Sequence, residues 1–395
     1  MINIDWLVRV GFTQSQITDI SAFFRNIGYA AKWTTSDLVS AVVSPTNGIF
    51  QINSIDGLKG IFKSDTQFYK DIEAMLNQKT NSTQDQSRLN NVIVYQATGT
   101  DYGKIVDDFV SVNANWAQLV LDTRDVADIE KAATKALSNN RLLVAQTSDE
   151  TIKTNAENNL ASKLNKQKNS NVILLFHNVD TEGLAAACAS IMAQSQLGLL
   201  DIIYATATGI TPQNYDSTTQ NNLKDLNVGF YDEVNPINGG GVSQYATPII
   251  YASKNSAGED IKRKYTKFGL ELLMKARSID FLKLRKPYED ISAQILDSYL
   301  TALFIEAQRP NGAGQRVIKA NTVDSNGVEI KGFDVGVGKP SDLLNTAPTL
   351  YNSEIYPATA YARDAKTGKE IEINIYIDPT AAELASLDAL LGKAA

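Results

Sequence analysis

Between residues 91 and 210, strand-length apolar runs alternate with helix-length segments, and this alternation constrains the fold more than anything else in the chain. "NVIVYQA", "WAQLVLDT", "RLLVAQT", "NVILLFH" and "LLDIIYATAT" are near-continuous apolar runs. Between them lie "RDVADIEKAATKALSNN", "DETIKTNAENNLASKLNKQ" and "TEGLAAACASIMAQSQLG", each read as a helix. Runs without a polar alternate face belong to strands buried on both sides, and intervening helices supply the crossovers that parallel pairing needs. The expected class is α/β (α+β overall), with a mostly parallel, helix-flanked sheet in the middle of the chain.

The flanking regions extend this plan. "TQSQITDISAFFRNIG" predicts a helix with Thr13 as N-cap, Ile17, Ile20, Phe24 and Ile27 on one face, and Gly28 at its C-cap. Residues 29–90 are poorly periodic apart from the amphipathic "DTQFYKDIEAMLNQ". Beyond residue 210 come short strands at "NVGFYDE" and "TPIIYA", then two long helices, "DIKRKYTKFGLELLMKARSIDFLKLR" and "PYEDISAQILDSYLTALFIEAQ". Pro287 suits the first turn of the second helix, whose apolar stripe reads as Ile291, Ile295, Tyr299, Leu303 and Phe304. Strands at "GVEIKGFDVGV", "EIYPATAYARDA" and "EIEINIYID" and a terminal helix, "PTAAELASLDALLG", complete a second α/β subdomain. The expected organisation is an N-terminal strand arm (1–12), a mixed helical and loop region (13–90), an α/β domain (91–255) and a C-terminal domain (256–395).

Composition narrows function. A chain of 395 residues with 43% hydrophobic and 21% charged residues is ordinary globular material. Its net charge of −7 argues against a general nucleic-acid binder. The single cysteine, Cys188, leaves no CxxC metal knuckle and sits among alanines as a small core hydrophobe. No basic, then apolar, leader opens the sequence, and no stretch matches a membrane span. The single histidine removes most triad, dyad and zinc constellations, so no catalytic residue, cofactor or metal is expected.

Sites on parallel sheets gather at strand carboxyl ends. Those ends carry Asp122 with Thr123, Gln146 with Thr147, His177 with Asn178 and Asp180, and Thr208 with Gly209. Asp122, His177 and Asp180 are the residues an α/β hydrolase-like enzyme would use. The simpler reading is helix capping plus a hydrogen-bonded turn histidine, since neither a glycine-rich loop nor a nucleophile elbow accompanies them. "GFDVGVGKPS" fails as a phosphate loop, because Phe333 and Pro340 stand where that motif needs glycine and Ser or Thr. A basic block is more informative: Lys262, Arg263, Lys264, Lys267, Lys275, Arg277, Lys283, Arg285 and Lys286 face only Glu271 and Asp280 within 262–286. It reads either as a solvated helix face or as a patch for an acidic partner surface.

Both ends of the chain carry half-buried strand patterns. In "MINIDWLVRV", Ile2, Ile4, Trp6, Val8 and Val10 alternate with Asn3, Asp5, Leu7 and Arg9, and in "EIEINIYID" Ile371, Ile373, Ile375 and Ile377 alternate with Glu370, Glu372, Asn374 and Tyr376. Such strands either pair inside their own subunit or add to a sheet in another copy.

Taken whole, the chain resembles the contractile-tail sheath proteins of bacteriophages. The resemblance is carried by "NANWAQLVLDTRDVADIEKAATKALSNNRLLVAQT", by "ATATGITPQNYDSTTQNNLKDLNVGFYDE" and by "KYTKFGLELLMKARSIDFLKLRKPYEDISAQILDSYLTALFIEAQ". It spans most of residues 91–378 and includes no catalytic motif. It implies a structural subunit that forms hexameric rings stacked helically around a tail tube, joined by terminal arms that complete a β-sheet in neighbours. The implied partners are other copies, the tail tube protein, and baseplate and tail terminator proteins, without nucleic acid or membrane insertion. The implied location is the virion tail, after assembly in the host cytoplasm. By position, the basic block would lie near the tube-facing domain. The chain departs from the family in stopping at "LLGKAA", where a further C-terminal strand is usual. Another tail or baseplate protein with the same fold is the nearest alternative.

Overall fold

The computed structural model describes residues 20–40, 42, 45, 47–78, 89–195, 202–234, 247–310, 317–324 and 327–362. The terminal strand patterns, Ile2 to Val10 and Ile371 to Ile377, and the terminal helix expectation lie outside them. Eight strands form one sheet: β1 (Asn26–Ala31), β2 (Ile49–Ile52), β3 (Asn91–Gln96), β4 (Gln118–Leu121), β5 (Leu142–Thr147), β6 (Val172–Phe176), β7 (Gly229–Val234) and β8 (Thr247–Tyr251). Their order is β2-β3-β1-β4-β5-β6-β7-β8. The six inner strands are parallel to one another, and only the edge strands β2 and β8 run antiparallel to their neighbours. This is the mostly parallel, helix-flanked sheet that the apolar runs predict.

Side chains alternate between two cores. Along β6, Ile173 and Leu175 enter one, while Val172, Leu174 and Phe176 enter the other. The first core is covered by α1 (Ile20–Arg25), α2 (Ile55–Ile61), α3 (Gln67–Asn77) and α7 (Leu184–Gln194). The second is covered by α4 (Tyr102–Val112), α5 (Val126–Ser138), α6 (Leu160–Lys166) and α8 (Ser217–Asp225). Cys188 is fully buried in α7.

Four local expectations are corrected. The helix over 13–28 stops at Arg25, and Ile27 and Gly28 belong to β1 at the centre of the sheet. Gly28 is there because of close packing: a Cβ would lie 2.6 Å from Cδ2 of Trp116. The helix over 149–167 begins only at Leu160, after turns in which Asn155 and Asn158 take positive φ, with Asn159 as N-cap. The described part of "LLDIIYATAT", 202–208, is no sheet strand, because Tyr204 also takes positive φ. Instead Tyr204 N donates to Ile250 O at 2.8 Å, Ile250 N to Ala205 O at 2.8 Å and Thr206 Oγ1 to Pro248 O at 3.1 Å. The segment thereby caps the outer edge of β8, which an open sheet must otherwise protect.

After β8 come the two long helices, α9 (Ile261–Lys283) and α10 (Asp290–Gln308). Asp260 caps α9 by accepting from Arg263 N. The second helix starts three residues beyond Pro287, and its buried stripe is Ala293, Leu296, Leu300, Leu303 and Phe304, leaving Ile291 66% exposed. That is the fourth correction: neighbouring apolar positions left the helix phase ambiguous by about one residue. Two short antiparallel pairs follow, β9 (Thr322–Val323) with β10 (Glu329–Ile330), and β11 (Phe333–Val337) with β12 (Ala358–Ala362). The helices α11 (Pro340–Thr346) and α12 (Pro348–Asn352) lie between β11 and β12.

Candidate functional site

In the sheet, β1 is followed by β3 on one side, while β4 on its other side leads on to β5. The strand order reverses here, and open α/β sheets hold ligands at the carboxyl ends of strands flanking such a point. Tyr29 and Lys32 arrive there from β1, Asp122 and Arg124 from β4, Tyr102 from the start of α4, and Asp71 from α3.

The crevice is filled by the protein itself. Asp71 has no exposed surface, yet it stands on the apolar face of α3 with Phe68, Ile72 and Met75. Arg124 Nη2 donates to both its oxygens, at 2.9 and 3.0 Å, Tyr29 OH donates to Oδ2 at 2.8 Å, and Gln67 Nε2 to Oδ1 at 3.1 Å. Charge-assisted bonds of this kind are what make a buried carboxylate tolerable. Its oxygen also approaches the start of α7, where a Cβ on Gly183 would come within 2.5 Å of Oδ1. Burial, with Asp71 beside it, pushes the Tyr29 hydroxyl well above its ordinary range. Burial works against the Arg124 charge, but Asp71 and Tyr29 lift its pKa above the usual value.

Asp122 is held separately. Its Oδ1 accepts from Tyr102 OH at 2.5 Å and its Oδ2 from Lys32 N at 2.7 Å. Burial raises its pKa, with those two bonds opposing. The Lys32 ammonium sits 4.3 Å above the Tyr102 ring.

His177 follows β6 and is fully buried. Its Nε2 lies 2.9 Å from Glu182 Oε2, and burial holds its pKa below the ordinary value. Glu182 also accepts from Thr211 N at 2.7 Å and Thr211 Oγ1 at 2.6 Å. Burial would raise its pKa, but the bonds from Thr211 and His177 keep it low. Next to this clasp, Gln78 imitates a backbone unit: Nε2 donates to Thr208 O at 2.9 Å and Oε1 accepts from Thr208 N at 2.8 Å.

Asp122, His177 and Asp180 are therefore not brought to a common point. The first two have different partners, and Asp180 is exposed. Among the described residues no group of three or more His, Cys, Asp or Glu side chains is placed to hold a metal ion. Chemically, the carboxyl end of the sheet is a set of ties binding α3, α7 and the 208–213 segment to the strands. Asp71, Arg124 and Glu182 were missed as sequence candidates. The legible sign was Asp71 itself, a carboxylate at an apolar-face position of an amphipathic helix.

The basic block does not form one face. Lys262 and Lys275 are buried, and Lys264 donates to Ser170 Oγ at 3.0 Å. Lys267 pairs with Glu271 and Arg277 with Glu306, each at 3.9 Å, and Lys283 with Asp280 at 3.0 Å. Arg263, Arg285 and Lys286 are exposed. Around the α9–α10 connection, Lys283, Arg285 and Lys286 interleave with Leu282 (43% exposed) and Leu284 (45% exposed).

Exposed apolar side chains concentrate in this part of the chain. Eight of the eleven large ones among the described residues lie within 282–361: Leu282, Leu284, Ile291, Ile305, Val323, Val328, Leu344 and Tyr361. The cores beneath them are small, Leu270, Leu303, Phe304 and Ile318 in one and Phe281, Leu296 and Leu300 in the other. Every residue of β12 is exposed, and β11 is its one strand partner among the described residues.

No family model matches the sequence, and no curated protein does. Among solved structures, the chain is similar to a sheath tail protein from Desulfitobacterium hafniense, with 9% identity and a TM-score of 0.47. That similarity covers 89% of this chain and all of the other.

Proposed function

We propose that the chain is a non-enzymatic structural subunit that polymerises with copies of itself, as the subunit of a phage contractile tail sheath. The observation that carries this reading is the unfinished character of residues 282–361. A two-stranded sheet is marginal in water by itself, and β11–β12 rests on the two small cores through Phe333, Val335 and Val337, with the Phe304–Phe333 rings 5.5 Å apart between centroids. Exposed apolar side chains clustered over a thin core mark surfaces meant for a partner. The strand patterns at Ile2–Val10 and Ile371–Ile377 are complementary in kind: they are strands in need of a sheet. Strand addition from another copy would satisfy both. Each interchain hydrogen bond adds about 0.5–1.5 kcal/mol net, so a few of them plus buried Ile and Trp side chains hold neighbours together while the bodies shift.

In this reading copies stack as rings around a tail tube, and the exposed basic residues Lys283, Arg285 and Lys286, with Leu282 and Leu284, face an acidic tube surface. The ties at the carboxyl end of the sheet keep the α/β body rigid. The chain then works in the virion tail, meeting tube, baseplate and terminator proteins.

Electron microscopy of the purified chain, with salt and concentration varied, tests this. Hollow tubes or ring stacks are expected. Removing residues 1–10 should leave a folded, soluble chain that no longer polymerises. A chain that stays monomeric under every condition, or a truncation that assembles normally, refutes the proposal.

A further inference from the structure

Helix α10 carries apolar side chains on two opposite sides. On one, Leu296, Leu300, Leu303 and Phe304 enter the two small cores. On the other, Ile291 is 66% and Ile305 45% exposed, with exposed Ser298 and Ala302 between them and half-buried Ile295 at the margin. Of the 19 residues of this helix, Asp290, Asp297 and Glu306 are the charged ones. A solvated helix face is normally built from charged and long polar side chains, and a helix apolar on both sides is one that is covered on both sides.

The exposed stripe has the spacing of a helix-pairing seam. Positions 291, 295, 298, 302 and 305 follow at alternating steps of four and three, and the exposed Arg309, just past the helix end, takes the next. Such a 3.5-residue repeat keeps one helix in register along another. The polar groups on the stripe are already satisfied: Ser298 Oγ donates to Gln294 O at 2.9 Å, and Glu306, at its border, pairs with Arg277 at 3.9 Å. Covering the stripe therefore strands no hydroxyl. The stripe is also complementary to itself in one direction. Laid antiparallel about Leu300, Ile295 of each copy meets Ile305 of the other, Ser298 meets Ala302, and Ile291 lies along the aliphatic stem of Arg309. The small pair at the centre lets the axes approach to about 8 Å. Arg309 then arrives at the end that carries Glu289 and Asp290. A parallel pair would instead set Arg309 against Arg309 and align the two helix dipoles.

We propose that α10 is a dimer contact, in which two copies of the chain pair their α10 helices antiparallel about a two-fold axis through Leu300. The pairing stands apart from the assembly proposed above. A two-fold contact closes on itself, whereas a growing stack needs head-to-tail contacts.

The test is sedimentation equilibrium of the full chain, below the concentration at which larger assemblies form, for wild type and Ala302→Glu. Wild type should show a monomer–dimer equilibrium. A302E sets two carboxylates into the seam and should raise the dissociation constant roughly tenfold or more. Ala302 is exposed and glutamate is a good helix former, so A302E is expected to fold. Disulfide trapping reads the register independently. Ser298→Cys and Ala302→Cys chains, one of them tagged for size, are mixed and oxidised; the native Cys188 is fully buried and does not compete. Position 298 faces 302 of the other copy, while two copies of 298 are offset by about 6 Å along the axes, so the mixed S298C–A302C disulfide should dominate. A chain that is monomeric at every concentration, an unchanged dissociation constant in A302E, or like-with-like disulfides as abundant as the mixed one overturns the proposal. Because these variants leave residues 1–10 intact, failure here is distinct from failure of strand-mediated polymerisation.

Discussion

Substituting Gly28 by Ala probes the centre of the sheet directly. The added methyl would lie 2.6 Å from Cδ2 and 2.9 Å from Cε2 and Cε3 of Trp116, against the roughly 3.5–4.0 Å at which carbon atoms rest in contact. The indole must therefore retreat by about 1 Å. It has little room: Nε1 donates to Asn113 O at 2.7 Å, Phe109 lies behind it at 4.6 Å between centroids, and the Arg141 guanidinium is 4.7 Å away. The backbone cannot yield instead, because β1 is hydrogen-bonded to β3 and β4 on its two sides. Overpacking of this kind costs about 1–3 kcal/mol. Alanine recovers about 0.5–1 kcal/mol of chain entropy in an extended position, while the strained Trp116–Asn113 bond forfeits up to about 1 kcal/mol. The expected net loss is about 2 kcal/mol. Urea denaturation followed by far-ultraviolet circular dichroism would show it as a lower midpoint at unchanged slope. In a Trp116→Phe background, where the fused ring is gone, the same substitution should cost at least 1 kcal/mol less, a coupling typical of residues in contact. A loss below about 0.5 kcal/mol, or the same loss in both backgrounds, refutes the packing argument.

Asp71→Ala should destabilise by about 3–5 kcal/mol by stranding the Arg124 charge, whereas an Asp71→Leu, Arg124→Met double variant should recover much of that loss in the same urea assay. The single histidine gives a clean acid signature. Its pKa is lower in the folded chain than in the unfolded chain, so the unfolded chain takes the proton first and stability falls as pH drops below about 6.5. Glu182, also depressed, extends the loss to lower pH, while Asp122, Asp232 and Glu271, raised by burial, act in the opposite sense. Those three remain in His177→Asn, so the wild-type minus H177N difference in unfolding free energy should shrink from pH 7.5 to 5.5. An unchanged difference contradicts the burial of a neutral imidazole. Finally, Leu282→Ser with Leu284→Ser should alter folding stability by under about 0.5 kcal/mol per site while reducing assembly measured by light scattering, and intact assembly would remove that loop from the contact surface.

The parts of the fold legible in sequence were those set by continuous patterns. Runs such as "VILLF" are apolar because both faces of their strand are covered, and that is visible without coordinates. Caps are local too, since Asp125 and Asp260 each accept from the helix turn that directly follows them, though neither was singled out from the sequence. Gly28 was not, because its reason for being glycine is Trp116, far away in sequence, and a glycine after an amphipathic stretch looks like a helix end. Tyr204 misled for a similar reason: a bulky residue with positive φ carries no mark in a run of apolar letters. At the site, the strand ends identified Asp122 and His177 correctly as positions but not their partners. Tyr102, Lys32 and Glu182 are determined by how the loops fold back, which the strand pattern does not encode. The basic block read as one patch because a linear count ignores phase, and in the helix Lys262 and Lys275 turn inward while Arg263 and Arg277 turn outward.

The helix α9 has a consequence for motion. Its early residues Ile261, Tyr265, Phe268 and Leu272 are fixed in the core of the large sheet, while Leu270 and Phe281 belong to the small cores beneath the exposed C-terminal layer. One uninterrupted 23-residue helix, about 35 Å long, thus runs from one core to the other. Its interior has no proline at which to bend. Force applied at the exposed end would reach the sheet as torque along this helix, and in the assembly proposed above large displacement would then fall to the connections between copies.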